Sequence, residues 1–515
     1  MMQFRQRPSC QGIALLAVAA LWACSGVATA AVPEGPVIAE ALARGERAQA
    51  LQWLESGADV NATLPDGTTA LHWAAYQVDE ALVQQLLARK ARPSARSHYG
   101  VTPLLEAAKA GNAPITRALL QAGARGDEAN DDGQSALMLA ARTGVVPVAD
   151  ALLHRGGKVN ARENWRGQTA LMWAAANSHP DMVRLLLRHG AAVDARAHVN
   201  DWERQVTTEP RAQYRPAAGL TPLLYAARAG CNDCVVALLE AGAHVDKPTP
   251  DGITPLMVAL DNFHFATARV LLAGGADPAL ADWWGRTALY IAIDMNSFPG
   301  RPAVPAGAPT ALDLAARLLE AGVEVQPQLN FHRPGRGANS GRFTDDLLTV
   351  GATPLLRAAI GFDVPAIQLL LKHGAKVDLP NGMGVTPLMA AAGLGVSVRD
   401  PRGQYGGDVV ARVLPTLEAL LAGGADINAR VTDTSGHTAR IARPSTMTDR
   451  QGQTAIYGAI NWGWTPVVRY LLEHGARLDI ADARGRTPRD AAAGNAGGRD
   501  FKAVEEVAQL VNGVR

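Results

Sequence analysis

The sequence predicts an all-α repeat fold, a solenoid of about twelve helix-turn-helix units. Three observations carry this. A seven-residue run recurs eleven times: TALHWAA at 69–75, TPLLEAA at 102–108, SALMLAA at 135–141, TALMWAA at 169–175, TPLLYAA at 221–227, TPLMVAL at 254–260, TALYIAI at 287–293, TPLLRAA at 353–359, TPLMAAA at 386–392, TAIYGAI at 454–460 and TPRDAAA at 487–493. A glycine stands two residues ahead of each run, and most of its steps are 33 residues, with longer steps of 52, 66 and 68. Aromatic residues make up only 5% of the chain although 48% is hydrophobic, so the core must be built from Ala, Leu and Val, which suits closely packed small helices better than a large sheet.

Composition narrows the function classes. The chain of 515 residues carries 49 Lys+Arg against 48 Asp+Glu, a balance too even for a general electrostatic grip on nucleic acid. Charged residues at 19%, with 51 Gly and 31 Pro, exclude a disordered polyelectrolyte or a low-complexity chain.

The first thirty residues read as a signal peptide. Arg5 and Arg7 form a basic start, Ile13 to Leu21 a short apolar run, and Ala28-Thr29-Ala30 a small-residue cleavage site. Export to the periplasm or secretion is therefore expected. An alternative is a lipobox at Leu21-Trp22-Ala23-Cys24, with a lipid anchor on Cys24. The apolar run is too short for a comfortable span and nothing later approaches the roughly 20 apolar residues that one needs, so no transmembrane span is expected in the mature chain.

The units follow in order. Residues 31–64 form an N-terminal capping repeat, 65–196 repeats two to five, 218–327 repeats six to eight, 351–429 repeats nine and ten, and 449–515 repeats eleven and twelve with a C-terminal cap. In each, Thr or Ser caps a first helix and Pro or Ala fills its first position, where a backbone N–H lacks a partner anyway. A second apolar face follows a loop, as at Val183, Leu186 and Leu187, and stops at Gly-Ala, as at Gly190-Ala191, where glycine supplies a left-handed end. One such pair cannot bury its apolar face alone, so neighbours must stack.

This 33-residue pattern resembles the ankyrin repeat, a β-turn followed by two helices, over nearly all of the mature chain. The resemblance implies a scaffold that binds another protein, with outward-pointing finger tips used for partner contact. It also implies local structural roles for His72, His179 and His264.

Function is expected where the sequence departs from the repeat. Three insertions, 197–217, 328–350 and 430–448, leave from the fingers of one edge, and two others, 297–309 and 394–415, separate the helices of a unit. The finger insertions mix Arg with aromatics, the composition of binding hot spots. With the finger-tip residues they give the candidate partner-binding set: Trp165, Trp202, Tyr214, Trp283, Trp284, Arg333, Arg336, Phe343, Arg440, Arg443 and Trp462. Cys231 and Cys234 are the only cysteines beyond the leader. Val235 follows them where c-type haem attachment needs His, so they are expected to pack or to form a local disulfide. His198, His332 and His437 lie one in each finger insertion, too far apart to converge on a metal. No catalytic motif and no cofactor signature is present, so binding is the expected function. The alternative is a redox or small-ligand protein using Cys231 and Cys234 or the insertion loops.

Overall fold

The computed structural model describes residues 34–200, 218–298, 301–330, 347–348, 350–395, 408–432, 450–494 and 505–513. Among these there are 24 helices and no strand beyond two isolated bridges, Ala129 with Ser135 and Val199 with Ala218. The helices pair into twelve units, from Val37–Ala43 with Arg47–Glu55 to Pro488–Ala492 with Glu505–Gly513.

Local chemistry sets each first helix. Thr102, Ser135, Thr169, Thr221, Thr254, Thr287 and Thr353 are extended residues whose side chains accept the N–H three residues on. Each such cap is worth about 1 kcal/mol. Small residues then allow close packing. In Ala136–Thr143 every residue from Ala136 to Ala141 is buried, and each first helix lies against the first helices of the units on either side. The second helices form a parallel outer layer along most of the chain.

The fingers are tied to one another through the backbone. At eight steps a finger N–H donates to the carbonyl of the preceding finger: His98 to Asp66, Asp131 to Tyr99, Asn164 to Asp132, His198 to Arg166, Trp283 to Asp251, Asn330 to Trp284, Gly382 to Val350 and Ala483 to Gln451, all at 2.7–3.2 Å. Pro250 occupies the donor position between units six and seven and has no N–H to give. Close approach demands glycine at the turns. A Cβ on Gly285, which sits at φ +80°, would meet Gln328 O at 2.7 Å and Asn330 N at 2.9 Å.

Polar clamps join unit to unit. Asn160 accepts from Ala192 N at 2.8 Å and donates to Gly190 O at 3.0 Å. Asn61 makes the same pair of bonds with Arg92 and Lys90, and Asn428 with Arg477 and Gly475. Two residues further along, Arg162 reaches Gly167 O and Arg196 O, Arg196 reaches Gly219 O and Pro248 O, and Arg430 reaches Gly452 O and Ala481 O. These arginines brace the fingers from behind.

Candidate functional site

The candidate site is the finger edge, a row of turn tips held in register by the backbone ladder. Tyr99 and Trp165 are each 76% exposed and Trp283 is 49% exposed. Trp165 is positioned rather than loose: Glu163 accepts its backbone N–H at 2.8 Å, and its indole Nε1 donates to Asp132 Oδ1 at 3.0 Å. A large aromatic held in water at a fixed tip offers area to a partner at little ordering cost.

Two expected tip residues face inward. Trp284 is only 6% exposed, and its ring lies 5.7 Å from the Arg286 guanidinium. Both residues lie in the finger turn, where Trp283 keeps the outer side and Trp284 folds back over Arg286. Trp462 is half-buried. It stacks on Trp464 at 5.4 Å and donates Nε1 to Gly393 O at 3.0 Å, which pins unit eleven to unit ten. It is a brace, not a tip.

Beneath Trp284 lies a buried charge cluster that sequence reading missed. Arg286 donates Nε to Asp282 at 2.7 Å and Nη1 to both oxygens of Asp261 at 3.2 Å. Burial alone would lower the Arg286 pKa, but Asp261 and Asp282 outweigh it and hold the guanidinium above its ordinary value. In the next unit the fully buried Arg357 pairs with Asp294 and donates Nη2 to Ser297 O at 3.1 Å. The signal was an arginine inside the otherwise apolar run TPLLRAA at 353–359.

All three finger insertions leave from the edge that carries these tips, and their stems are hydrogen-bonded. Ala197 N donates to Leu220 O and Gly219 N to His198 O; Leu329 N to Ala352 O and Gly351 N to Leu329 O; Val431 N to Gln453 O and Gly452 N to Val431 O. The second insertion is more than a surface decoration at its ends. Leu329, Leu347 and Leu348 are buried in the core, and Leu347 O accepts from Asn381 Nδ2 at 2.9 Å. Trp202, Tyr214, Arg333, Arg336, Phe343, Arg440 and Arg443 lie outside the described residues, as do His332 and His437.

The cysteine sulfurs lie 2.11 Å apart, with Cys231 at the N-cap of the helix Asn232–Glu240 and both residues buried. His179 and His264 each bond a backbone carbonyl of the preceding unit through Nε2, at 3.0 Å to Arg142 O and 3.1 Å to Arg228 O. No cluster of three or more His, Cys, Asp or Glu suited to a metal occurs among the described residues, and no described helix is long and apolar enough to cross a membrane.

Comparison with known proteins agrees with the repeat geometry. The family described as "Ankyrin repeats (3 copies)" matches residues 38–130, 107–197, 201–282 and 223–301, and the single "Ankyrin repeat" matches 451–483. These matches cover more than half of the chain. The chain belongs to the ankyrin-repeat family. It is 40% identical over 79 residues to human "BCL-6 corepressor-like protein 1", a match spanning 15% of this chain and 4% of that protein. It is 29% identical over 186 residues to zebrafish (Danio rerio) "Putative palmitoyltransferase ZDHHC13", spanning 33% of this chain and 27% of that protein. A third relative, human "Mitochondrial disaggregase", is 34% identical over 174 residues, 32% of this chain and 24% of that one. The chain thus spans about a quarter or less of the length of these relatives. Among solved structures, the human ASB11 ankyrin repeat domain aligns with 48% of this chain and 100% of its own at 24% identity and a TM-score of 0.38.

Proposed function

We propose that this ankyrin-repeat protein is an exported, non-catalytic scaffold that binds another protein along its finger edge. The observation that carries the reading is the row of exposed aromatics, Tyr99, Trp165 and Trp283, on tips fixed by the backbone ladder. The stems of all three insertions leave from this edge, and the insertions carry Trp202, Tyr214, Arg333, Arg336, Phe343, Arg440 and Arg443, which are assigned to the interface on their composition. Arg can contact carboxylates in bidentate fashion and Trp buries a large area, so a few of these residues suffice for most of the affinity. Export rests on the leader at 1–30, with periplasmic or secreted placement after cleavage at Ala30, or anchoring through Cys24. The local disulfide between Cys231 and Cys234 is a structural staple in this reading.

Two measurements test it. Mass spectrometry of the mature N-terminus reads Ala31 for a cleaved leader and acylated Cys24 for a lipoprotein; an intact Met1 would overturn export. Affinity capture from the exported fraction is run with the wild-type chain and with the variant Trp165→Ala/Trp283→Ala. A partner retained by the first and lost by the second, at unchanged melting temperature, is the expected result. Equal retention by both would remove the finger tips from the interface.

A further inference from the structure

Unit eight interrupts the outer layer of helices. Its second helix, Ala311–Glu320, packs closely on its own first helix, Ala288–Asn296, but only loosely on the second helices of units seven and nine. The gap is a cleft of about 750 Å³ on the interhelical loops, away from the fingers. That volume lies within the range of small-molecule sites. Its walls include Phe263, Phe265, Phe298 and Phe362. The Phe263 ring meets Phe265 at 6.2 Å and Phe298 at 6.1 Å, both edge to face. Two cations line it with them: Arg412, 5.3 Å over the Phe362 ring, and Arg301, which donates to Asn296 O and Oδ1 at 2.6 Å. The lining sets these two arginines against one carboxylate, Asp363, which accepts from Asn296 Nδ2, Ser297 Oγ and Ala366 N, a formal excess of one positive charge.

Two of the cleft phenylalanines occupy a position of the repeat where the backbone turns left-handed. Phe263 and Phe362 stand nine residues after the start of their runs, at φ +62° and +55°. Units three, four, six and eleven have glycine at this position, Gly111, Gly144, Gly230 and Gly463, and units two and five have Val78 and Ser178, all with positive φ. Glycine takes this conformation freely, whereas a bulky side chain there is strained. Both strained phenylalanines line the cleft, where glycine would remove the strain and the wall together.

We propose that this cleft binds a small aromatic carboxylate, with its ring among Phe263, Phe298 and Phe362 and its carboxylate directed to Arg412. Edge-to-face walls favour a flat ring over an alkyl chain, and the cationic lining favours an anion over a neutral or cationic ligand. The site is independent of the finger edge, so its failure would leave the scaffold reading untouched.

Isothermal titration of the full chain with naphthoate tests this, with naphthalenemethanol as the neutral analogue. One saturable site of sub-millimolar Kd is expected for naphthoate, with the alcohol at least about tenfold weaker. Arg412→Met, which keeps an apolar stem over Phe362, is expected to weaken naphthoate by about tenfold or more and leave the alcohol unchanged. Phe263→Gly is expected to abolish naphthoate binding while the melting temperature holds or rises. No saturable binding by the wild-type chain, equal affinity for acid and alcohol, or an Arg412→Met variant that binds naphthoate as well as the wild type would overturn the proposal. The exposed position of Arg412 keeps that last arm informative even where Phe263→Gly perturbs the fold.

Discussion

Asp378 occupies the clamp position that Asn61, Asn160 and Asn428 hold elsewhere, and it makes half of their bonds. It accepts Asp426 N at 2.9 Å, while its Oδ1 is buried with no hydrogen-bond partner among the described residues. A carboxylate has no N–H to offer the carbonyl that each asparagine engages. Burial pushes the Asp378 carboxyl above its ordinary pKa. A raised carboxyl contributes most below its unfolded pKa, and that contribution is lost as pH rises through the folded value. Asp378→Asn is therefore expected to stabilise the chain at neutral pH by about 0.5–1.5 kcal/mol. The gain should shrink on acidification, and denaturant melts across pH check both sign and slope. His72 runs the other way. Thr69 N, which can only donate, points to its Nδ1 at 3.1 Å, so the ring is neutral with its proton on Nε2, 3.0 Å from Val101 O. Burial first, against weaker opposing contacts, lowers its pKa below the ordinary 6.5. Stability from this residue is present above about 6.5 and is lost as pH falls towards the lowered value. His72→Gln keeps the acceptor of the capping box without titrating, and should remove that acid sensitivity from thermal melts.

Elements written in local chemistry were legible in the sequence. The run from Thr to Ala carries its own cap and buried face, and Gly-Ala carries its own stop, as Gly190 at φ +82° shows. What depended on a neighbour was not legible. Trp284 turned inward onto the Arg286 guanidinium, and Trp462 turned inward because Gly393 leaves room for its indole. The triplets Asn160-Ala161-Arg162, Asp194-Ala195-Arg196 and Asn428-Ala429-Arg430 signalled the arginine braces, but their acceptors lie one finger away and only the stacked chain reveals them. The boundary of the second finger insertion was also misread. Its apolar pair Leu347-Leu348 closes into the core, so deletion of 331–346 and deletion of 328–350 should differ. The shorter deletion is expected to leave the melting temperature nearly unchanged. The longer one removes Leu329, Leu347 and Leu348, each worth about 2–5 kcal/mol as a buried leucine, and should unfold units eight to ten. Equal melting of the two variants would show that the three leucines contribute nothing to the core.

At the scale of the whole molecule each unit touches only its neighbours, so the chain behaves as a one-dimensional stack in which stability follows the weakest interface. The loose packing around Ala311–Glu320 places that interface at unit eight, and hydrogen exchange should be faster there than in units three to five, where both helix layers are continuous. The same rigidity between weak points gives the finger edge a ruler. Trp165 and Trp283 precede the runs of units five and eight, three steps apart, or about 30 Å at about 10 Å per packed layer. A single partner that engages both must be at least that long. Residues so far apart without shared contacts couple little, so the losses from Trp165→Ala and Trp283→Ala should add to within about 0.5 kcal/mol, each costing about 2 kcal/mol as an anchor. Both tips stand outside the stacked core, so the melting temperature should barely move. A partner that touches only one tip would instead lose all its sensitivity with one substitution and none with the other. A double-mutant cycle on the captured partner distinguishes the two outcomes: additive losses fix a long partner lying along the edge, and a silent second substitution confines the interface to one end.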